Sequence, residues 1–288
     1  MAENSGIEWT HHTFNPWTGC TKVSPACDHC YAEGWAKRSG HVEWGPHGER
    51  RRTKTWVNPV KWNKALEGTG RRERVFCASL ADVFDNHRSI KPRWRMELEI
   101  LIEATPNLDW LLLTKRPQNI ERFAAKWMSM GWPKNVWLGT TVENQDTAEQ
   151  RIPHLLRIPA AVHFLSCEPL IGEINLRQIA GISKDEDGTV DVWWDALTGI
   201  AYDEWGDEMP CNDDLPNSVS WVITGGESGA HYRPADPNWF RALRDQCEDA
   251  SVPFLFKQWE GRNQRAIKAL GRELDGVVHD GYPASLTA

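Results

Sequence analysis

The sequence predicts an α/β fold, a full or partial (β/α) TIM-type barrel. Short apolar segments alternate with helical patterns along the chain. Segments such as 110–113 are apolar throughout, which is typical of strands in a parallel sheet covered by helices. The length of 288 residues suits one such barrel. We therefore expect a single domain over 1–288, with an acidic insertion at about 179–218.

The predicted elements follow one another in a regular order. Seven strands are expected, at 6–13, 74–79, 108–114, 135–140, 161–166, 218–224 and 253–257. Six helices are expected between them, at 30–39, 59–66, 92–104, 117–130, 144–156 and 237–250. Four of these helices begin at a proline, which the first helical turn tolerates because the N–H that proline lacks would have no partner there.

Polar side chains follow strands two to seven. In chain order they are Ser79 and Asp82, Thr114 and Lys115, Glu143, Glu168, Glu227, and Lys257. In a barrel the carboxyl ends of the strands meet at one mouth, where the chemistry takes place. The alternatives are that the hydroxyls cap the next helix and that Glu143 or Glu168 forms a structural ion pair with Lys115 or Arg116.

The segment 225–229, Gly-Gly-Glu-Ser-Gly, follows the sixth predicted strand. Glycines let backbone amides approach a ligand closely, so this segment resembles a loop that cradles an anion. A tight turn explains the same glycines equally well.

Three cysteines near the start, Cys20, Cys27 and Cys30, have the spacing C-x6-C-x2-C, and no fourth cysteine is near in sequence. Metals and clusters bound by thiolates take four ligands, so either a histidine completes the set or one position stays open for water or a cofactor. The histidines near enough to complete a zinc site are His11, His12 and His29. A third alternative is that the three cysteines are structural.

The total of seven cysteines is odd and clustered only at the start, which argues against a disulfide framework and for a reducing compartment. No basic segment followed by an apolar run opens the sequence, and no apolar stretch approaches the length of a membrane span. We therefore expect a soluble, cytoplasmic protein.

The net charge of -7 is unevenly distributed. Residues 184–216 carry eleven acids and one base, a local charge of -10, and the rest of the chain is at +3. Residues 37–74 carry eleven bases and four acids, a local charge of +7 that could meet a phosphate backbone. The alternative for this basic segment is a solvated surface. The acidic segment could be a lid, a docking surface or a disordered loop.

Several motifs together resemble one protein family. They are Asn-Pro-Trp-Thr-Gly-Cys at 15–20, Cys-Asp-His-Cys-Tyr-Ala-Glu at 27–33, Leu-Thr-Lys-Arg-Pro at 113–117, Trp-Leu-Gly-Thr-Thr-Val-Glu-Asn at 137–144, Phe-Leu-Ser-Cys-Glu-Pro-Leu at 164–170, the segment 225–229, and Phe-Lys-Gln-Trp at 256–259. This set resembles the phage-associated three-cysteine-motif proteins, a group regarded as radical-SAM-like. The similarity covers nearly the whole chain apart from the acidic insertion and the C-terminal tail. The wider radical S-adenosylmethionine (SAM) superfamily has the spacing C-x3-C-x2-C, so the longer first gap departs from that pattern.

The resemblance implies a radical-SAM-like barrel and a [4Fe-4S] cluster held by Cys20, Cys27 and Cys30, with one iron open to the amino and carboxylate groups of SAM. One-electron reduction then cleaves the sulfonium to a 5′-deoxyadenosyl radical, while the protein positions cofactor and substrate. On strand order, the residues expected near the cofactor are Ser79, Asp82, Thr114 and Lys115. The residues expected nearer the substrate, as catalytic groups, are Glu143, Glu168, Glu227 and Lys257.

The sequence leaves the substrate open. The resemblance and the basic segment 37–74 make a nucleic acid or nucleotide a candidate, with Trp44 and Trp56 available to stack on bases. The resemblance also implies a protein partner encoded nearby and an electron donor. A zinc-stabilised nucleic-acid-binding module without catalysis remains the alternative function.

Overall fold

The computed structural model describes residues 5–185, 188–203, 205–209 and 217–284. The chain divides into two compact units, unit 1 (Met1–Gly139) and unit 2 (Thr140–Ala288). Within the described residues, no helix combines the length and the apolar character needed to cross a membrane.

Unit 1 alternates short strands with helices. Its strands are β1 (His12–Phe14), β2 (Trp17–Thr18), β3 (Arg51–Arg52), β4 (Glu73–Cys77), β5 (Leu108–Thr114) and the greater part of β6 (Val136–Thr141). Its helices are α1 (Tyr31–Ser39), α2 (Asn58–Leu66), α3 (Pro92–Glu103), α4 (Ile120–Phe123) and α5 (Ala125–Met130). The helix predicted at 117–130 is interrupted because Ala124 leaves the helical conformation, with φ -117° and ψ 31°.

A parallel ladder of β1, β4 and β5 forms the centre of unit 1. Phe14 is level with Cys77, which is level with Leu112. Side chains on both faces of β5 are buried, which explains the continuous apolar run at 110–113 within this strand. Because the three strands point the same way, the segments that follow them leave the ladder at the same edge.

Unit 2 contains a second parallel ladder and an antiparallel sheet. Its strands are β7 (Val162–Cys167), β8 (Ile179–Asp185), β9 (Gly188–Asp195), β10 (Ile200–Tyr202), β11 (Glu208–Met209), β12 (Trp221–Gly225), β13 (Phe254–Gln258), β14 (Glu273–Leu274) and β15 (Val277–Val278). Its helices are α6 (Gln145–Leu156), α7 (Pro237–Asp249) and α8 (Gln264–Leu270). β12 pairs in parallel with β7 on one side and with β13 on the other.

The predicted acidic insertion contains a four-stranded antiparallel sheet with the order β11-β10-β9-β8. Its longest pairing joins Ile179 to Trp194 at one end and Asp185 to Gly188 at the other. Five of the carboxylates counted in the insertion, Glu186, Asp187, Glu204, Asp213 and Asp214, lie outside the described residues.

Each of the seven predicted strands overlaps an observed strand, yet the prediction of a full or partial (β/α) TIM-type barrel is wrong. A TIM barrel is a closed ring of eight parallel strands. In the part of the chain that the structure describes, the parallel strands form open ladders, β1-β4-β5 in unit 1 and β7-β12-β13 in unit 2. Alternating strand and helix patterns favour parallel pairing, but closure depends on strand number and stagger, which local patterns do not encode. The structure supports the looser α/β class.

Candidate functional site

Asp82 organises the segments that follow β4 and β5. Its Oδ1 accepts hydrogen bonds from the Thr114 hydroxyl at 2.7 Å and from the Phe84 amide at 2.9 Å. Its Oδ2 accepts from the Lys115 amide at 3.0 Å and from Nη1 of Arg116 at 2.8 Å. Four donors therefore surround this buried carboxylate. The structure thus brings together three of the residues expected near the cofactor, Asp82, Thr114 and Lys115.

Ser79, the fourth residue of that set, lies just after β4 in the same unit. Its hydroxyl accepts a hydrogen bond from Nδ2 of Asn15 at 3.0 Å, and its carbonyl accepts one from the Tyr31 hydroxyl at 2.6 Å. Oδ1 of Asn15 also accepts from the Leu80 amide at 2.6 Å. These bonds tie the segment after β4 to the end of β1 and to the first turn of α1.

Two buried arginines hold the loop that carries Cys20. Nη2 of Arg50 donates to the Thr21 hydroxyl at 2.7 Å, and Nε of Arg50 is 2.7 Å from Oδ2 of Asp85. Nη2 of Arg116 donates to the Thr21 carbonyl at 2.8 Å. Both guanidinium groups are almost fully buried, so their charges need these partners. The loop is therefore fixed from two sides.

Arg50 and Asp85 do not stand out as site residues in the sequence. Arg50 belongs to the basic segment 37–74, where the pattern indicates solvent, yet the structure buries its side chain. Two features of the sequence could have indicated a buried charge network. One is the pair of carboxylates after one strand, Asp82 and Asp85. The other is Arg116, which directly follows Lys115 at the end of the next strand.

The three cysteines of the motif are free thiols, and each is partly exposed. Cys20 lies in the loop after β2, with its Sγ 3.6 Å from Nη1 of Arg116. Cys27 ends a short 3₁₀ helix, and its Sγ is 3.8 Å from the Ser24 hydroxyl. Cys30 directly precedes α1 at its N-cap position. All three therefore belong to unit 1.

Burial raises the pKa of two of these thiols. Desolvation raises the pKa of Cys20 to about 12, the Asp82 carboxylate adds to the rise, and the Arg116 guanidinium opposes it. Desolvation also raises the pKa of Cys30, against the backbone amides at the start of α1 and the Lys115 ammonium. The two opposing cations are neighbours in sequence, so the end of β5 presents positive charge to both thiols.

The three thiols do not form a closed metal cage. Among the described residues, no group of three or more His, Cys, Asp or Glu side chains is arranged to hold a metal ion. Cys30 interacts electrostatically with Cys27, whereas the charges that act on Cys20 are those of Asp82, Asp85 and Arg116. The donor set still suits a thiolate-bound metal or cluster, because three free soft ligands lie in one unit.

Two of the histidines considered as a fourth zinc ligand have other partners. Nε2 of His12 is 2.7 Å from Oε2 of Glu73, and the His12 ring stacks on Trp62 with 4.2 Å between the ring centroids. Nδ1 of His11 accepts a hydrogen bond from the Arg74 amide at 2.8 Å. Both side chains thus serve packing between β1, β4 and α2.

The residues expected near the substrate lie in unit 2, where ion pairs engage them. Oε1 of Glu143 accepts a hydrogen bond from Nη1 of Arg151 at 2.9 Å. Glu227 is bound through both of its oxygens by Arg233, at 2.5 and 2.9 Å. Each of these two carboxylates thus has an arginine partner in its own unit, whereas the ion-pair alternative considered from the sequence named Lys115 or Arg116 as the partner of Glu143 or Glu168.

Glu168 and Lys257 form an ion pair in unit 2. Glu168 directly follows β7, and Lys257 lies near the end of β13, with β12 between the two strands. Both side chains are partly exposed, so the pair is reachable from solvent. The structure thus brings two of the four predicted catalytic residues together.

Close packing accounts for one glycine of the 225–229 loop. A Cβ at Gly226 would lie 2.2 Å from the backbone nitrogen of Glu260, so no other residue fits without a shift of the backbone. The Gly226 amide donates to the Gln258 carbonyl at 3.0 Å, and the Glu227 carbonyl accepts from the Gly261 amide at 3.1 Å. These backbone groups continue the contact between β12 and β13. Packing therefore explains the glycine at position 226 without a bound anion.

The basic segment 37–74 is partly neutralised inside unit 1. Five of its bases form ion pairs with carboxylates, namely Lys37, Arg50, Arg52, Arg71 and Arg72. The face of Trp56 is covered by the Arg52 guanidinium, 4.1 Å from the ring centroid, and its edge packs on Phe14. This Trp56 face is therefore occupied and does not offer a platform for a base.

The fold and site define an α/β protein with three free thiols in unit 1, one of which, Cys20, lies beside a buried network of two arginines and two aspartates. The chain belongs to a family described as "Protein of unknown function (DUF5131)", which matches residues 4–283. No curated protein and no solved structure matches the chain.

Proposed function

We propose that this chain is a radical-SAM-type enzyme that binds a [4Fe-4S] cluster through Cys20, Cys27 and Cys30. The observation that carries the proposal is that three free, partly exposed thiols share unit 1 with the adjacent cations Lys115 and Arg116. Cluster-bound thiolates are negative, and fixed positive charge beside them stabilises them. Three ligands leave one iron of a cubane open.

When bound, the cluster would supply the electron that cleaves the sulfonium of SAM, and a separate electron donor would replace it. The chain's own residues would bind and orient SAM and the substrate. Asp82 uses both of its oxygens to fix the loop after β5, so its role is to position that loop. Ser79 and Lys115 are the groups of unit 1 proposed to meet the ribose and the carboxylate of SAM.

In unit 2 the ion pair of Glu168 and Lys257 is the proposed acid–base pair. A carboxylate and an amine in contact can exchange a proton when a substrate changes their surroundings, and both groups here are partly exposed. Glu143 and Glu227 are each held in an ion pair by an arginine of the same unit. Their proposed role is to position the substrate.

Anaerobic reconstitution with iron and sulfide tests the cluster. The protein should take up about four irons per chain and, with dithionite and SAM, release 5′-deoxyadenosine. Replacement of Cys20, Cys27 or Cys30 by alanine should abolish both results. Cys247→Ala is the matched control, because Cys247 is a buried thiol of unit 2 and should leave iron uptake unchanged.

The same metal analysis separates the alternatives. One zinc per chain without iron, together with salt-sensitive nucleic-acid binding, would instead support the zinc-stabilised binding module. If the protein takes up neither iron nor zinc, and the cysteine variants lose only stability, the three cysteines have a structural role.

A nucleic acid is the proposed substrate class, and its contact is the basic face of unit 1, defined as Arg51, Lys54, Lys61 and Lys64. All four side chains are exposed, and none has an ion-pair partner among the described residues. Lys61 and Lys64 lie three residues apart on α2, so they project from the same side of that helix. A phosphate backbone is the partner that such a face fits.

Fluorescence anisotropy with labelled single-stranded DNA and RNA tests this contact. The triple variant Lys54→Ala, Lys61→Ala and Lys64→Ala should bind more weakly and lower the slope of log K against log salt by about 2 to 3. The matched control removes three exposed lysines elsewhere, Lys91, Lys134 and Lys268. Equal affinity of the triple variant and the wild type would remove nucleic acid from the proposal and favour a protein partner.

A further inference from the structure

The antiparallel sheet of the acidic insertion has an outer face that carries aromatic side chains. Tyr202 is level with Trp193 on β9 and with Glu208 on β11. Residues that are level on neighbouring antiparallel strands share one face of the sheet. Trp193 is 37% exposed, and Glu208 is also exposed. This face therefore presents aromatic groups and a carboxylate to solvent.

The opposite face of the same sheet packs inside unit 2. Ala201, which is level with Trp194, is buried, and so is Ile179, the partner of Trp194 on β8. β8 also contacts α6. The sheet is thus anchored through one face, and the face of Trp193 points away from this packing.

The turn between β10 and β11 adds a second exposed tryptophan. Oδ1 of Asp203 accepts hydrogen bonds from the amides of Trp205 at 3.0 Å and of Asp207 at 2.8 Å. These bonds hold the turn in shape, while the Trp205 side chain stays 77% exposed. Apolar surface left in water is unfavourable, and a partner that covers it gains stability. We call the following residues the aromatic surface: Trp193, Tyr202, Trp205, Asp207 and Glu208.

Charge limits what can cover the aromatic surface. Asp207 and Glu208 are exposed, and the described residues include no ion pair of either carboxylate. Residues 184–216 carry a net charge of -10. Nucleic acids and anionic membranes are repelled by such a field, whereas lysine and arginine side chains are attracted by carboxylates and by the faces of tryptophan rings. The fitting partner is therefore a basic protein surface with some apolar character.

The basic face of unit 1 has this composition. Beside its four bases, Val57 and Val60 are 53% and 49% exposed. Val57 directly precedes α2, and both valines are spaced three or four residues from Lys61 or Lys64, so the four positions lie on one side of the helix. The valines and the lysine stems offer apolar contact to tryptophan, and the ammonium groups offer positive charge to the carboxylates. A phosphate backbone would engage the charges alone.

We propose that the aromatic surface of one copy of the chain docks onto the basic face of a second copy. Charge and apolar character match on the two surfaces, and both surfaces belong to this chain. Each copy contributes a different surface, so the contact is heterologous. The docking does not rest on the proposed function, although it uses the same face of unit 1 as the proposed nucleic-acid contact.

Sedimentation velocity of the full-length protein over a concentration series tests the docking. At about 0.1 M salt the wild type should self-associate. The association constant should fall at least about tenfold at about 1 M salt, because the screening length shortens from about 10 Å to about 3 Å. A wild type that stays monomeric at every concentration in low salt overturns the proposal.

Two variants remove one surface each. The aromatic-surface variant is Trp205→Ser with Asp207→Asn and Glu208→Gln, and the basic-face variant is Lys54→Ala with Lys61→Ala and Lys64→Ala. Every substituted side chain is exposed, so circular dichroism should match that of the wild type. Each variant alone should be monomeric. An equimolar mixture of the two should form a 1:1 complex, because the mixture contains one intact copy of each surface.

A matched control changes similar groups elsewhere. Met130 is 77% exposed, as Trp205 is, so Met130→Ser with Glu121→Gln and Glu248→Gln also removes one exposed apolar group and two exposed carboxylates. This control should self-associate as the wild type does. Self-association that persists in the aromatic-surface variant, or an equimolar mixture that stays monomeric, overturns the proposal.

Nucleic-acid binding separates the docking from the proposed function. The basic-face variant should lose both self-association and nucleic-acid binding, whereas the aromatic-surface variant should lose self-association alone. Self-association of a wild type that binds no nucleic acid would remove nucleic acid from the proposed function and leave the docking in place. Binding of a labelled oligolysine peptide by a wild type that stays monomeric would place a foreign basic polypeptide on the aromatic surface and overturn the docking of a second copy.

Discussion

Nη1 of Arg116 lies 2.8 Å from Oδ2 of Asp82 inside unit 1, and this ion pair joins the segment after β4 to the segment after β5. Both side chains are less than a tenth exposed. The same guanidinium contacts the cysteine loop, so one buried interaction connects the sheet edge to the thiols. The segments after β4 and β5 are therefore held together by charge pairing as well as by apolar packing.

Loss of the Asp82 carboxylate should destabilise the protein strongly. Asp82→Ala leaves the buried Arg116 charge uncompensated, and the free energy of unfolding should fall by about 3 to 5 kcal/mol. Asp275→Ala is the control, because Asp275 also binds two arginines but is exposed to solvent, and its loss should be much smaller. Urea denaturation measures both. Equal losses in the free energy of unfolding would show that the buried Arg116–Asp82 pair stabilises the protein no more than the exposed ion pairs of Asp275.

A side chain at position 226 should be harmful for steric reasons. Gly226→Ala brings a Cβ against the backbone of Glu260, and the free energy of unfolding should fall by about 1 to 3 kcal/mol. Gly6→Ala meets nothing within 4 Å and should be nearly neutral. Thermal denaturation of both variants checks this. If Gly226→Ala instead kept full stability and lost only ligand binding, the anion-cradle interpretation would return.

The strands of the parallel ladders can be predicted from the sequence because the apolar patterns that mark them are local. β5 begins and ends at the predicted residues, and the local signal that marks it is the apolar run at 110–113. The starts of α3 and α7 are also found, at Pro92 and Pro237, because proline marks the first helical turn. The antiparallel sheet of the acidic insertion is missed. The expectation for this segment rested on its many carboxylates, and charge composition does not show which strands pair.

The site was predictable only in part, because ion pairs join residues distant in sequence. The cysteines and the strand-end residue Asp82 are singled out by spacing and position. The burial of Arg50 is not, because its partner Asp85 is 35 residues away and nothing local distinguishes Arg50 from the exposed Arg51. Whether a base meets solvent or a carboxylate is decided by the tertiary fold.

Native-state alkylation should divide the six cysteines within the described residues into two classes. Cys20, Cys27 and Cys30 are partly exposed and should be modified by iodoacetamide in the folded protein. The buried thiols, Cys77, Cys167 and Cys247, should be protected until the protein unfolds. Peptide mass spectrometry in the absence and presence of urea measures each site. Rapid native-state modification of any buried thiol would contradict the packing described for β4, β7 or α7.

Acid should destabilise unit 2 through His163. Desolvation lowers the pKa of this buried histidine to about 4, and its Nε2 is 2.7 Å from the Ile158 carbonyl, which fixes the neutral ring as a donor. In the unfolded chain the pKa is about 6.5, so the unfolded state binds the proton first as the pH falls.

The stabilisation contributed by neutral His163 is thus complete above about pH 6.5 and is lost as the pH falls towards about 4, to a total of about 3 kcal/mol. His163→Gln keeps a donor for the Ile158 carbonyl but cannot take up a proton. Urea denaturation at a series of pH values between 4 and 7 should therefore show a shallower loss of stability in the variant than in the wild type. Parallel curves for the two proteins would mean that His163 titrates alike in the folded and unfolded states.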